Sequence, residues 1–174
     1  WFGAVSSIIR EALYLSNFVV EIHEAFMDLG AFCTANVYIG EGRQSPLTFR
    51  CIHINDYCID ENFEGVVDVV FRRIPLTIRQ IVQEFGIESL SDEMKRCLQQ
   101  QDGEGLDKEY DVLHAVMPRE DSDPRMKDSS KMPFRSVYID LSGKRIMRES
   151  GFMENPYLVC RFNKSPGEIY GRGP

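Results

Sequence analysis

The sequence predicts an α+β fold, with N-terminal helices followed by a largely antiparallel sheet carrying short helices. Apolar residues recur at three- and four-residue steps over 1–30, short runs rich in β-branched and aromatic residues follow, and Gly- and Asn-containing turns separate those runs. At 174 residues the length suits one ordinary domain over 1–174, with 1–30 helical, 31–75 strands, 76–100 short helices and 109–164 strands.

Phe2, Val5, Ile8, Ile9, Ala12 and Leu15 keep one helical face, with Arg10 and Glu11 turned away, so a first helix is expected to about Leu15. Ser16 and Asn17 suit the cap of a second helix, on which Phe18, Ile22, Phe26 and Leu29 keep step and which Gly30 is expected to stop. Ala31 to Ile39 reads as a buried strand closed by Gly40-Glu41-Gly42. Leu47 to Ile54, Tyr57 to Ile59 and Val66 to Arg73 read as further strands, together an antiparallel meander.

Pro75-Leu76-Thr77 is expected to open a short helix with Ile78, Ile81, Val82 and Phe85 on one face, Thr77 as cap and Gly86 as stop. Ser91 and Asp92 start a polar helix to about Gln100, and Gln99 to Gly105 reads as a loop. Tyr110 to Met117 is strand-like, and Arg119 to Lys131 has nothing to bury and reads as a mobile surface loop. Asp140-Leu141-Ser142-Gly143-Lys144 signals a hairpin with Val137, Ile139 and Ile146 facing inward, and Tyr157 to Phe162 is the last strand.

The net charge of −7, from 27 acidic against 20 basic residues, argues against a surface built to grip phosphates. Apolar runs are only a few residues long, against the roughly 20 a membrane-spanning helix needs. Cys33, Cys51, Cys58, Cys97 and Cys160 are odd in number and scattered, which reads as free thiols, with no disulfide framework. The chain opens Trp1-Phe2-Gly3 without an initiator Met and stops at Gly171-Arg172-Gly173-Pro174, so an excised internal segment is expected.

Strand alternation puts Cys51 and His53 on one face with Cys58 five residues on, a start toward a metal site, but no Cys-x-x-Cys pair supplies the rest and His23 and His114 are remote in sequence. A strand with a half-buried histidine is the simpler reading. Glu41, Asp56, Asp60, Glu61 and Glu64 are of the type that holds Mg²⁺ for phosphodiester cleavage, and acidic turns made for solubility look the same. Arg72-Arg73 reads as a strand-end surface pair, and the Gly-x-Gly pieces at Gly40, Gly103 and Gly171 lack the strand-to-helix setting of a phosphate cradle. No nucleophile elbow is present.

The order of elements and several short strings resemble the head-to-tail connecting, or portal, proteins of short-tailed phages. The strings are Gly30-Ala31 before a buried strand, Leu47-Thr48-Phe49-Arg50, Ile54-Asn55-Asp56-Tyr57, Gly65-Val66-Val67-Asp68 and Phe85-Gly86. Later come Tyr110 to His114, the Tyr138/Asp140/Gly143 hairpin, Glu149 to Phe152, Asn155-Pro156-Tyr157, and an ending in which Glu168, Tyr170, Gly171 and Arg172 are the most specific piece.

The resemblance implies an internal fragment of the portal wing region, ending before the long stem helix. It implies a structural, non-catalytic part of a ring, usually a dodecamer, at one capsid vertex. In such a ring terminase drives DNA through the centre, and capsid and tail proteins attach. No cofactor or metal is implied. The location is the virion, and the host cytoplasm before assembly. An acidic wall fits DNA that slides without tight binding. A closed ring needs head-to-tail interfaces, and Trp1, Phe2 and Val5 on the first helix are the candidate interface residues. The alternatives are a metal-dependent hydrolase or nuclease using the acidic turns or Cys51/His53, and a small protein-binding adaptor with an open sheet edge.

Overall fold

The helical spacing of the opening residues and the β-rich runs after them appear in a computed structural model that describes residues 1–42, 45–100, 107–123, 125 and 128–173. Its elements are α1 (Phe2–Tyr14), α2 (Phe18–Phe32), β1 (Thr34–Glu41), β2 (Leu47–Ile52), β3 (Tyr57–Glu61), β4 (Val67–Thr77), α3 (Ile78–Phe85), α4 (Asp92–Gln100), β5 (Glu109–Pro118), β6 (Phe134–Asp140), β7 (Arg145–Phe152) and β8 (Tyr157–Arg161). The fold is α+β, as expected, with helices first and antiparallel sheets in the strand orders β2-β1-β8 and β3-β4-β5-β6-β7. Packing divides the chain into unit 1 (Trp1–Glu61 with Asn155–Pro174) and unit 2 (Asn62–Glu154).

In unit 1, Phe18, Ile22 and Leu29 of α2 pack with Leu13 of α1 over buried Ala25, Ala35, Val37 and Phe49. The expected single meander over 31–75 is not formed. β1 pairs with β2 on one side and with β8, far along the chain, on the other. A 3-10 turn at Ile54–Asp56 carries the chain out of that sheet, so β3 and β4 belong to the other one.

Asn17 does not cap α2 with its side chain. Ser16 Oγ accepts from Phe18 N at 3.2 Å, while Asn17 Nδ2 donates to Phe49 O at 2.7 Å and its Oδ1 accepts from Phe49 N at 2.9 Å. Glu21 Oε2 then accepts from Cys51 N at 2.6 Å. The first turns of α2 therefore pair with the side of β2 that β1 leaves open, and the backbone groups of that edge find partners.

Gly30 does not stop α2. The helix runs on to Phe32 and ends at Cys33, whose φ of 60° is left-handed, so β1 begins at Thr34. A glycine inside a helix costs only about 1 kcal/mol relative to alanine, too little by itself to end a helix held to the sheet by Phe18, Ile22 and Leu29.

In unit 2, β4 to β7 form consecutive antiparallel pairs. α3 and α4 pack on this sheet through a core of Ile78, Ile81, Leu90, Met94, Tyr110 and Val112. Pro75 and Leu76 do not open a helix; they extend β4 in register with Asp111 and Tyr110, an extended path that the fixed φ of proline allows. Thr77 caps α3 as expected, in a reciprocal box in which Thr77 Oγ1 accepts from Gln80 N and Gln80 Oε1 accepts from Thr77 N. Gly86 ends that helix at φ 83°.

Gln99 and Gln100 complete α4, so the expected loop is not found there, and its residues 101–105 lie outside the described ones. Described parts of the Arg119–Lys131 stretch include a 3-10 turn at Ser129–Lys131 and the bond from Asp123 N to Lys131 O at 2.9 Å. Of the three expected inward residues of the β6–β7 hairpin, Val137 is buried and Ile139 partly so, but Ile146 is exposed. The register slips between Tyr138 and Ile139, which face Arg148 and Ile146. The extra residue of this bulge is Met147, which packs on the core with Tyr138.

One cross-strand row fixes the chemistry of this sheet. Arg72, His114, Tyr138 and Arg148 lie in register across β4, β5, β6 and β7. The His114 ring stacks on Tyr138 at 4.0 Å between centroids, and its Nε2 lies 2.9 Å from Ser136 Oγ. Burial, and then the charges of Arg72 and Arg148, push the imidazole down to about 3. The unfolded chain takes up a proton near 6.5, and the folded chain does not until about 3. Stability from this residue is therefore complete at neutral pH and is lost as pH falls below about 6.5. Urea unfolding is expected to show a loss of about 2 kcal/mol between pH 7 and pH 5, above the range where the carboxylates protonate, and His114→Gln is expected to remove that slope. A pH-independent midpoint over this range in the parent chain would refute the buried neutral imidazole.

Candidate functional site

The features that the sequence singles out fall into three places: the face of α1 and α2, the junction between α2 and β1, and the turns carrying carboxylates and Cys51. The apolar residues of α1 outnumber what one helix neighbour can cover, and none of its residues is buried. Trp1 is 88% exposed and Phe2 80%, their rings edge to face at 5.2 Å, while Val5 is half-buried. The exposed surface is wider than those three residues. Ile8 and Ile9 of α1 and Val19, Val20, Phe26 and Met27 of α2 are also exposed. α2 is thus apolar on two sides, one turned to Phe49 and Val37 and the other to solvent.

The Glu168 to Arg172 string sits against the α2–β1 junction. Gly171 N donates to Thr34 Oγ1 at 2.8 Å, and Phe162 N donates to Cys33 O at 2.9 Å. A Cβ on Gly171 would stand 2.0 Å from Cys33 O, so a glycine is required there. Tyr170 OH accepts from Ile59 N at 3.3 Å, and Arg172 N donates to Asn163 O at 2.8 Å. Glu168 pairs with Arg172 at 2.5 Å in an exposed i,i+4 bridge. All of these contacts hold unit 1 together, and none presents a reactive group.

Cys51 and His53 are engaged separately. Cys51 Sγ lies 3.6 Å from Asp28 Oδ2, and burial, followed by the Asp28 carboxylate, pushes the thiol up to about 12. A thiol so held resists ionisation, which weighs against a role as a nucleophile. β2 ends before His53, whose Nδ1 accepts from Asn55 N at 3.3 Å to cap the Ile54–Asp56 turn and whose ring meets Phe32 edge to face. Cys58 is exposed on β3, His23 is exposed on α2, and His114 belongs to the core of unit 2.

The carboxylates are spread rather than convergent. Glu61 takes Arg161 Nη1 at 2.7 Å and Lys164 Nζ at 2.7 Å, and those hydrogen bonds, Lys164 first, hold its carboxyl below the usual range. Asp60 Oδ1 accepts from Glu61 N, Asp56 lies in the 3-10 turn, Glu64 lies in the β3–β4 turn, and Glu41 ends β1 exposed. Among the described residues, no group of three or more His, Cys, Asp or Glu side chains is placed to hold a metal ion. Arg72 is buried in the cross-strand row, a correction to its reading as a surface residue, while its neighbour Arg73 is exposed. Among the described residues, no helix is long and apolar enough to cross a membrane.

Two surface features were not anticipated. Phe63, at the tip of the β3–β4 turn, is fully exposed, and a pocket lies beside α3 and α4. The only sequence signal for the first was an aromatic between the turn formers Asn62 and Gly65; the pocket had none.

Comparison with known proteins adds the following. The family model described as bacteriophage head to tail connecting protein matches residues 1–174. The chain is 28% identical over 176 residues to the probable portal protein of Bordetella phage BPP-1, covering 100% of this chain and 31% of that protein. It is 29% identical over 172 residues to the portal protein of Salmonella phage epsilon15, covering 98% of this chain and 30% of that protein. The chain therefore spans less than a third of the length of the curated relatives it matches.

The junction is directly testable. Gly171→Ala is expected to cost about 1–3 kcal/mol in equilibrium unfolding, because a backbone carbonyl must move to admit the methyl group. Gly3→Ala, in α1 with nothing within 4 Å of the added carbon, is the control and should be neutral or stabilising. Equal stability of Gly171→Ala and the parent would mean that the close approach is not maintained in solution.

Proposed function

The chain belongs to the bacteriophage head to tail connecting protein family, and from that premise we propose that it is a structural part of a phage portal subunit. The observation that carries this reading is the family match over the whole of residues 1–174, with relatives that are named as portal proteins. On this reading the 174 residues form one piece of a larger subunit, and the subunits form a closed ring at a capsid vertex. DNA is packaged and ejected through the ring without tight binding, terminase and the capsid and tail proteins dock on it, and the protein resides in the virion after assembly in the host cytoplasm. The net charge of −7 supports weak contact with a moving polyanion.

The piece has no catalytic role on this reading. That is supported by the separate engagement of Cys51 and His53 and by the pairing of Glu61 with two cations. The wide apolar surface of α1 and α2 supports an assembly role, with Trp1, Phe2 and Val5 at a subunit contact and Glu168, Tyr170, Gly171 and Arg172 maintaining the fold beside it. Burying one large apolar side chain contributes about 1.5–3 kcal/mol, so a few of them suffice to hold neighbours together.

Electron microscopy of the full-length subunit is the test. Closed rings are expected, and Phe2→Asp is expected to reduce their yield while leaving the circular dichroism of the subunit unchanged. A full-length chain that stays monomeric at micromolar concentration would overturn the portal reading, and intact rings from Phe2→Asp would remove Phe2 from the contact.

A further inference from the structure

A ring of identical subunits needs two different surfaces on each copy, one fitting the other. Unit 2 carries a pair with complementary shapes. The first is the turn between β3 and β4. Asn62 N donates to Val66 O at 2.9 Å, Gly65 N donates to Asn62 O at 2.9 Å, and Asn62 Oδ1 accepts from both Glu64 N at 3.0 Å and Val66 N at 3.1 Å. Gly65 has φ 76°, which the turn needs and glycine adopts without strain. This fixed loop holds Phe63 at 106% relative exposure, with exposed Val66 beside it. The turn's hydrogen bonds fix the backbone that presents Phe63, and burying its ring would remove a large apolar area from water, the profile of an interface anchor.

The second surface is a pocket of about 640 Å³ lined by Arg79, Gln80, Val82, Ile87 and Leu98, with Thr77 and Asp107 also contributing. Its apolar members come from α3, the turn after it and α4, outside the core of Ile78, Ile81 and Met94. The volume accommodates a phenyl ring, and Val82, Ile87 and Leu98 give it an apolar wall beside the polar Thr77, Arg79, Gln80 and Asp107. Arg79 offers a cation to Glu64, the exposed acid next to Phe63 in sequence. Phe63 does not fill the pocket of its own chain, because it is fully exposed.

We infer that Phe63 of one subunit inserts into the Val82/Ile87/Leu98 pocket of the next copy, with Glu64 meeting Arg79 at its mouth. This rests on the ring reading above and names a contact within it. Knob and pocket are different surfaces, so the contact is head-to-tail and repeats around a ring. It is separate from the α1–α2 face, which lies in unit 1.

The test uses the full-length protein with a photoreactive benzoylphenylalanine in place of Phe63, irradiated after assembly and mapped by peptide mass spectrometry. A cross-link to the 77–98 segment of a neighbouring subunit is the expected result. Phe63→Ala and Ile87→Glu are each expected to weaken subunit association about 10- to 100-fold, the equivalent of one buried aromatic ring, without altering monomer unfolding. Rings that form normally but cross-link elsewhere, or not at all, would overturn the knob-and-pocket contact and leave the portal reading standing. Absence of rings from the unsubstituted full-length protein would overturn both.

Discussion

Cys33, with φ 60°, turns the chain from α2 into β1, and the rest of unit 1 is arranged around that turn. A non-glycine residue in this conformation costs about 1–2 kcal/mol, so it persists only where its surroundings hold it. Here they do. The helix closes on it through the bond from Cys33 N to Leu29 O, and Phe162 N takes its carbonyl from the far end of the chain. Gly171 lies against the same carbonyl and is tied to the next residue through Thr34 Oγ1. Segments more than a hundred residues apart in sequence are thus held at one peptide unit. This gives the Glu168–Arg172 string a physical meaning, because the close approach admits no side chain at Gly171.

The same unit disposes of its exposed strand edge. Asn17 presents an amide to Phe49 as another strand would, and Glu21 takes the next outward N–H at Cys51. β2 is therefore not a ready acceptor for an added peptide strand, which weighs against an adaptor that works through that edge. The arrangement also ties α2 to the sheet by polar bonds on one side and by Phe18, Ile22 and Leu29 on another. The rest of the helix surface includes Val19, Val20, Phe26 and Met27, apolar and exposed.

Local chemistry was legible in the sequence, and long-range geometry was not. The Thr77 cap, the Gly86 stop and the Asp140–Lys144 hairpin depend on neighbours within a few residues, and each is readable from spacing. The stop of α2 was misplaced at Gly30 because the true stop is at a cysteine, a residue type that gives no left-handed signal. The meander over 31–75 fails because Asn17 and Glu21 take the outer edge of β2 and the 3-10 turn at Ile54–Asp56 leads β3 into the other sheet. Ile146 shares a face with Ile139, its cross-strand partner, but lies beside the hairpin turn, where that face is open to solvent. Of the candidate site residues, Trp1 and Phe2 were legible as apolar positions on a helix, but their exposure depends on what α2 covers. Cys51 and His53 appeared paired by alternation, and the end of β2 before His53 separates their roles.

The polar and apolar groups of this chain are treated differently, and the difference bears on what it does. Its potentially reactive polar groups are satisfied internally: Glu61 by Arg161 and Lys164, Glu149 by Arg135, and Cys51 beside Asp28 as a protonated thiol. Catalysis requires the opposite, charged or nucleophilic groups aimed together at open space and held away from compensating partners. Large hydrophobic side chains are left in water, among them a broad face on α1 and α2 and the ring of Phe63 at the tip of its turn. Leaving such surface in water costs free energy in the isolated chain, and covering it returns that energy to whatever contact forms. Covering that surface with a partner would stabilise the chain, which is what the assembly role proposed above requires.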